Sequence, residues 1–304
     1  MNSERLGFAL RPGVFSAPEI RDASGILEGS RNVAGAFIPD GPRAGLEAIE
    51  IASAILATTG RLYVGSGVIR PLEHDPTLLA RRVLTIQAFS SNRLILGVGT
   101  GARSPQPGEQ VQAMLDRLDE LKRLFNSFPR GIEPPEIYVA TLKKRIARCA
   151  VNKADGLLLN FCSPGHVRGV VEAVKPQMAS PVEFACYLKL FYSSKNDEAA
   201  RRLLVQEFLN YDSLPQYHEM FVQDGTADAI SSFRKSDGWR SRVPELPREL
   251  LSVSLANPTD TELRQYLVAF REAGITLPVP YPYFTSDEKP EFKQHTVRRI
   301  IKTV

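Results

Sequence analysis

Asp40 is the first residue of the chain whose type and position suit chemistry. It ends the run Phe37-Ile-Pro-Asp-Gly41, and a carboxylate at the end of a buried strand is placed to take or give a proton. An aspartate before glycine also reads as a turn residue bonding its own backbone, and both readings stand at this point. Glycines form a second group: Gly65-Ser66-Gly67 and Gly97-Val-Gly99-Thr100-Gly101 each follow an apolar run. Missing side chains there let backbone approach a flat ring or a phosphate. Neither has the GxGxxG spacing of a dinucleotide fingerprint, so each also reads as a tight turn after a strand.

Thr141-Leu-Lys-Lys144 opens a helix after Ile137-Tyr-Val-Ala140, which brings free backbone N–H groups and two cations together. That combination is a phosphate seat, or else a solvated helix face. Lys189, read as following the seventh strand, is the one lysine placed for the chemistry of an aldolase-type barrel. His74 in Glu73-His-Asp75 reads as a loop residue, and His218 and His295 as solvent-facing. Cys149, Cys162 and Cys186 lack the paired spacings of a zinc site, and HxH and HExxH patterns are absent. No metal is expected, and no Ser-His-Asp arrangement supports a hydrolase.

Positioning such groups requires elements, and the chain supplies an alternation. Apolar runs at Gly7–Leu10, Val33–Ile38, Leu62–Gly65, Leu94–Val98, Ile137–Ala140, Gly156–Leu159, Val182–Leu188 and Thr276–Pro280 read as eight strands. Amphipathic stretches lie between them at Pro18–Glu28, Gly45–Thr58, Pro76–Ser90, Glu109–Phe125, Thr141–Lys153 and Pro164–Lys175, with a long region from Asp197 to Arg271. Asp75-Pro76 and Ser163-Pro164 each put a capping side chain before a proline at the first helical position. Strands apolar on both faces, alternating with helices, imply a parallel sheet covered by helices, and eight units favour closure. The expected fold is α/β, a (β/α)8 barrel in one domain over residues 1–304. Residues 193–247 are too long for one crossover helix and read as a helical insertion before the last strand.

Composition narrows the function classes. Of the 304 residues, 43% are hydrophobic and 24% charged, ordinary for a chain with a substantial buried core. The net charge of +4 is spread along the chain, which argues against a nucleic-acid partner. No apolar stretch is long enough for a signal peptide or membrane span, so a soluble, cytoplasmic protein without a membrane partner is expected.

Taken in order, several segments resemble the bacterial luciferase-like family of flavin- and F420-dependent oxidoreductases, which includes the methylenetetrahydromethanopterin reductases. The best stretch runs from Gly60-Arg-Leu-Tyr-Val-Gly-Ser-Gly-Val68 through His74-Asp-Pro-Thr-Leu-Leu-Ala80 to Asn92-Arg-Leu-Ile-Leu-Gly-Val-Gly-Thr-Gly101. Ile137-Tyr-Val-Ala140, Ala154-Asp-Gly-Leu-Leu-Leu-Asn160 with Ser163-Pro164, Asp197-Glu-Ala-Ala200, the Tyr211 to Tyr217 segment and Phe270-Arg-Glu-Ala-Gly274 continue it.

The resemblance implies a cofactor ring across the C-terminal ends of the strands, near Asp40, Gly65, Ser66, Gly67, Gly99, Thr100, Ala140 and Asn160, with its phosphate near Thr141. It also implies a non-proline cis peptide at Gly65-Ser66 or Ser66-Gly67, a small organic substrate and a homodimer. The Gly65-to-Pro76 segment is closer to the reductase branch, which points to F420; FMN with molecular oxygen is the more general expectation.

Two departures bear on mechanism. Many F420-dependent relatives have a histidine where this chain has Gly41, and some have a glutamate where it has Ala102. The segment Phe125–Pro135 is also shorter than usual, and Asn257-Pro258 stands where a glycine often precedes the last long helix. The expected activity is hydride transfer or monooxygenation, with Asp40 at the reacting centre. The alternative is a barrel that binds flavin or deazaflavin without catalysis.

Overall fold

Strands apolar on both faces must bury both, either in an open sheet between two helix layers or in a sheet curled on itself with helices outside it. A computed structural model shows the curled arrangement and describes residues 5–40, 45–101, 107–128, 131–236, 238–240, 243 and 245–303. Gly41 and Ala102, the two departures that bear on mechanism in the sequence, lie outside the described residues, as do Ser241 and Arg242 of the expected insertion.

The elements alternate as β1 (Leu6–Ala9), α1 (Ala17–Glu28), β2 (Val33–Ile38), α2 (Ala48–Thr58), β3 (Tyr63–Ser66), α3 (Pro76–Ser90), β4 (Leu94–Val98), α4 (Pro107–Ser127), β5 (Glu136–Ala140), α5 (Lys144–Ala150), β6 (Gly156–Asn160) and α6 (Pro164–Val174). Then come β7 (Glu183–Tyr192), the four helices α7 (Asp197–Asp212), α8 (Pro215–Gln223), α9 (Ala227–Lys235) and α10 (Arg248–Leu251), the two-residue β8 (Leu255–Ala256), α11 (Asp260–Glu272), β9 (Leu277–Phe284) and α12 (Pro290–Lys302). Asp75 caps α3 by accepting the Leu78 N–H at 2.8 Å, and Ser163 caps α6 by accepting the His166 N–H at 3.0 Å. Both helices therefore begin where a capping side chain and a proline meet in the sequence.

All pairing is parallel and runs in chain order from β1 to β8, with β9 joined to β7. β9 also lies against β1 and so completes the ring, a TIM-barrel arrangement. β7 is longer than the sequence implies, so Lys189 lies inside the strand and not after it. β9 likewise continues four residues beyond Pro280, to Phe284. Its prolines explain why the expected strand stops at Pro280. Pro278, Pro280 and Pro282 have no N–H to donate, so the residues between them must supply the ladder to β7. The prolines then face β1, and between β9 and β1 no ladder forms.

The barrel interior is filled by rings. Phe37 lies 6.1 Å from Tyr138 and 6.4 Å from Tyr187, centroid to centroid. Gly65 makes room for them: a Cβ there would stand 2.8 Å from Phe37 Cδ1. Gly65→Ala is therefore expected to destabilise the protein by about 1–3 kcal/mol through overpacking. Chemical denaturation measures this, and Phe37→Leu in the same chain should recover part of the loss. An unchanged midpoint would mean that the ring moves aside freely.

Candidate active site

At the C-terminal ends of the strands, the half-buried Asp40 follows β2, and its Oδ2 lies 3.6 Å from Arg70 Nη2. Burial raises the Asp40 pKa above the ordinary aspartate value, and the Arg70 charge opposes the shift only in part. Arg70 Nε also meets Glu73 at 2.6 Å. The stem of Arg70 crosses Gly101, where a Cβ would lie 2.8 Å from Arg70 Cδ. Arg70 thus ties Asp40 to the glycine-rich turn after β4.

Where β3 ends, the backbone bulges. The Ser66 hydroxyl is buried between the strands, donating to Gly97 O at 2.9 Å and accepting from Gly97 N at 3.0 Å. The cis peptide is Gly67-Val68, so it falls one bond beyond the later of the two expected positions. Tyr187 reaches this bulge from β7 and donates its hydroxyl to Gly67 O at 3.2 Å. A Cβ on Gly67 would come 1.6 Å from that hydroxyl, so glycine is required for the approach. Across the bulge, a Cβ on Gly99 would meet Val68 at 2.7 Å and Ala140 at 3.3 Å. Gly67, Gly99 and Ala140 are therefore brought together, whereas Gly65 lies deeper, beneath Phe37. Thr100 stays half-exposed at the rim.

Thr141 is engaged within the chain. Its N–H donates to Leu158 O at 3.1 Å and its hydroxyl to Lys143 O at 3.1 Å. The helix expected to open at Thr141 starts at Lys144, and no side chain caps it. Lys143 pairs with Glu219 of α8 at 2.6 Å. The neighbouring N-terminus of α6 also meets an acid: Asp224 accepts the Ser163 N–H at 3.3 Å and faces His166 Nδ1 at 3.6 Å. Burial works to lower the His166 pKa, but the Asp224 hydrogen bond and other contacts hold it above the ordinary value.

Asn160, at the end of β6, donates its amide to Tyr217 Oη at 2.7 Å, while its Oδ1 is buried with no partner among the described residues. Beside it stands a group that spacing did not reveal. Lys189 is fully buried, with its Nζ 2.5 Å from Glu207 Oε1 of α7. The ammonium lies 3.7 Å from the Tyr211 ring centroid, 4.6 Å from that of Phe161 and 5.0 Å from that of Tyr283. Burial works to raise the Glu207 pKa, yet the charge and hydrogen bond of Lys189 hold it below the ordinary glutamate value. Arg11, just after β1, donates from Nη1 to Tyr283 Oη at 2.9 Å. The strand mouth thus carries an acid at Asp40, an unmatched amide oxygen at Asn160 and a cation-bearing aromatic wall.

The sequence profile of the family described as luciferase-like monooxygenase matches residues 33–277. The chain belongs to that family. A curated relative, the 5,10-methylenetetrahydromethanopterin reductase of Archaeoglobus fulgidus, is 20% identical over 254 residues, 72% of this chain and 76% of the relative. Among solved structures, an F420-dependent secondary alcohol dehydrogenase in complex with an F420-acetone adduct superposes with a TM-score of 0.76 at 13% identity, covering 99% of both chains. The FMN complex of the oxygenating constituent of 3,6-diketocamphane monooxygenase from Pseudomonas putida gives 0.68 at 15% identity, covering 99% of this chain and 97% of that one. These likenesses establish a shared luciferase-like barrel fold.

In this barrel the buried pair beside the mouth carries its own test. Glu207→Gln would leave Lys189 charged and unpaired in the interior, a change expected to destabilise the fold by about 3–5 kcal/mol. The Glu207 pKa is depressed on folding, so its contribution is full above the ordinary glutamate range and disappears as pH falls through the folded value. Unfolding midpoints measured from pH 7 down to acid should show the variant and the parent converging. Parallel curves would assign the loss to something other than this charge.

Proposed function

We propose that the protein is an oxidoreductase that binds F420 or FMN at the C-terminal mouth of the barrel and acts on a small organic substrate. The observation that carries this reading is Asn160 Oδ1, a buried acceptor with no partner among the described residues. The N–H edge of a flavin or deazaflavin ring would supply that partner. Gly67, Gly99, Thr100 and Ala140 would border the ring, and Tyr187 would hold the bulge behind it. F420 is favoured, since the reductase and dehydrogenase relatives lie on that branch. Thr141 is left out of the phosphate site, because its N–H and hydroxyl already have acceptors within the chain.

When bound, such a cofactor supplies hydride transfer or, for FMN, the activation of oxygen. The chain orients the ring, excludes water with the rings of Phe161, Tyr211 and Tyr217, and holds a proton at the Asp40 carboxyl. Burial suits Asp40 to that role by making its charged form less favourable. Gly41 and Ala102 carry no titratable side chain, which leaves Asp40 as the acid at this end of β2. The same absence favours the second reading, a barrel that binds the cofactor without turning it over. The working form is read as a cytoplasmic homodimer, a state that light scattering on the purified protein measures directly.

Titration of the cofactor-free protein with F420 and with FMN, followed by cofactor fluorescence, should give micromolar or tighter binding of one of them. Asp40→Asn should keep that binding and lower turnover by about a hundredfold or more, as expected for loss of a general acid. The pH profile should lose a limb lying above the ordinary aspartate range. Binding without turnover in the parent protein supports the second reading, and binding of neither cofactor removes both.

A further inference from the structure

Arg11 stands at the strand mouth with no carboxylate in contact with it among the described residues, and the charge of Glu207 acts on it only from beyond ion-pair distance. Glu207, the acid on the same wall, makes its close contact with Lys189 at 2.5 Å and meets Arg11 only through Tyr283 and at longer range, and Asp40 faces Arg70 at 3.6 Å. Segments 41–44 and 102–106, which follow β2 and β4 in the sequence, contain no aspartate or glutamate. The phenols do not fill the gap either, because burial holds Tyr281 and Tyr283 in their neutral forms. Among the described residues the wall therefore has two cations, Arg11 and Lys189, against one carboxylate, an excess of one positive charge.

Arg11 is partly buried, so its guanidinium is less well hydrated than in open water, and a ligand's anion at contact distance would offset that loss. The geometry is prepared for one. Tyr283 holds Nη1 at 2.9 Å, while no acceptor among the described residues takes the Nε and Nη2 hydrogens. That edge of the fork matches a carboxylate or phosphate with two parallel hydrogen bonds. The wall is continuous with the proposed ring site, since Tyr211 covers the Lys189 ammonium and lies 3.5 Å from Asn160 Nδ2.

We propose that Arg11 sets substrate specificity, and that the substrate carries a single anionic group, a carboxylate or a comparable oxyanion, which pairs with the guanidinium. The inference rests on the reading of this mouth as the active site and adds the substrate class to it. The cofactor's own phosphate is the other source of such an anion. Arg11 lies on the β1 and β9 side, whereas the ring is assigned to the ends of β3, β4 and β6, which favours the substrate.

The test compares propionate and benzoate with propionamide and benzamide, by calorimetry on the cofactor-loaded protein and on the cofactor-free protein. In the parent each acid should bind more tightly than its amide by roughly tenfold to a hundredfold, the range for hydrogen bonds to a charged group. Arg11→Gln should erase that preference without changing amide binding, and Arg11→Lys should keep part of it. Equal binding of acids and amides in the parent, or a preference that survives Arg11→Gln, overturns the proposal. It is also overturned if Arg11→Gln weakens cofactor binding as much as acid binding, since the anion would then be the cofactor's. Failure of the cofactor to bind the parent is a separate result that rejects the active-site reading, while acid preference is still read on the cofactor-free protein.

Discussion

A lysine ammonium cannot be sealed inside a barrel alone, and much of this structure follows from how Lys189 is accommodated. Its charge requires Glu207, so α7 must come down onto β7 at the mouth, 2.5 Å away at the point of contact. The same helix brings Tyr211 over the ammonium, and the turn after it leads into α8, which delivers Tyr217 to Asn160. The helices between β7 and β8 are thus tied to the strand ends by one charge and the rings around it. The polarity of the mouth is set there too. With Lys189 neutralised, the remaining cation of the wall is Arg11, and the remaining unmatched acceptor is Asn160.

The acid side of the mouth is built differently. Asp40 meets Arg70 at the looser distance of 3.6 Å, and Arg70 is shared with Glu73 at 2.6 Å. Its carboxyl is desolvated without being fully matched, the condition that raises a carboxylic acid's pKa. On one wall, then, a charge is locked by a close partner; on the other it is left free enough to change its protonation. The first arrangement suits structure and the second suits chemistry.

Local patterns made much of the fold legible. Asp75-Pro76 and Ser163-Pro164 read correctly as helix starts, because a capping side chain and a proline act on the residues immediately beside them. Errors came where a distant neighbour decides. The Pro-Tyr-Pro-Tyr alternation in β9 cuts the expected strand short at Pro280 unless one knows that one edge of that strand carries no ladder. The helix after β5 starts at Lys144 because Thr141 is still held by β6 through Leu158. In the site, Asn160 entered only through the family resemblance, whereas Asp40 and the glycine turns sit at strand ends and could be found by position. Arg11, Arg70, Glu207 and Tyr283 could not, since their meaning lies in partners far along the chain. One signal was available: Lys189 interrupts an otherwise apolar run, and a charge in such a place needs a partner.

The prolines of β9 have a mechanical consequence. Seven of the junctions around the barrel are stitched by backbone hydrogen bonds, and the one between β9 and β1 is held by side-chain contact alone. Widening the barrel at any stitched junction would break a ladder, whereas parting β9 from β1 breaks none. Arg11 and Tyr283 are joined across that junction, next to the wall that faces the mouth. The barrel therefore closes along one seam that can part without breaking a backbone ladder, and that seam lies beside Arg11 and Tyr283.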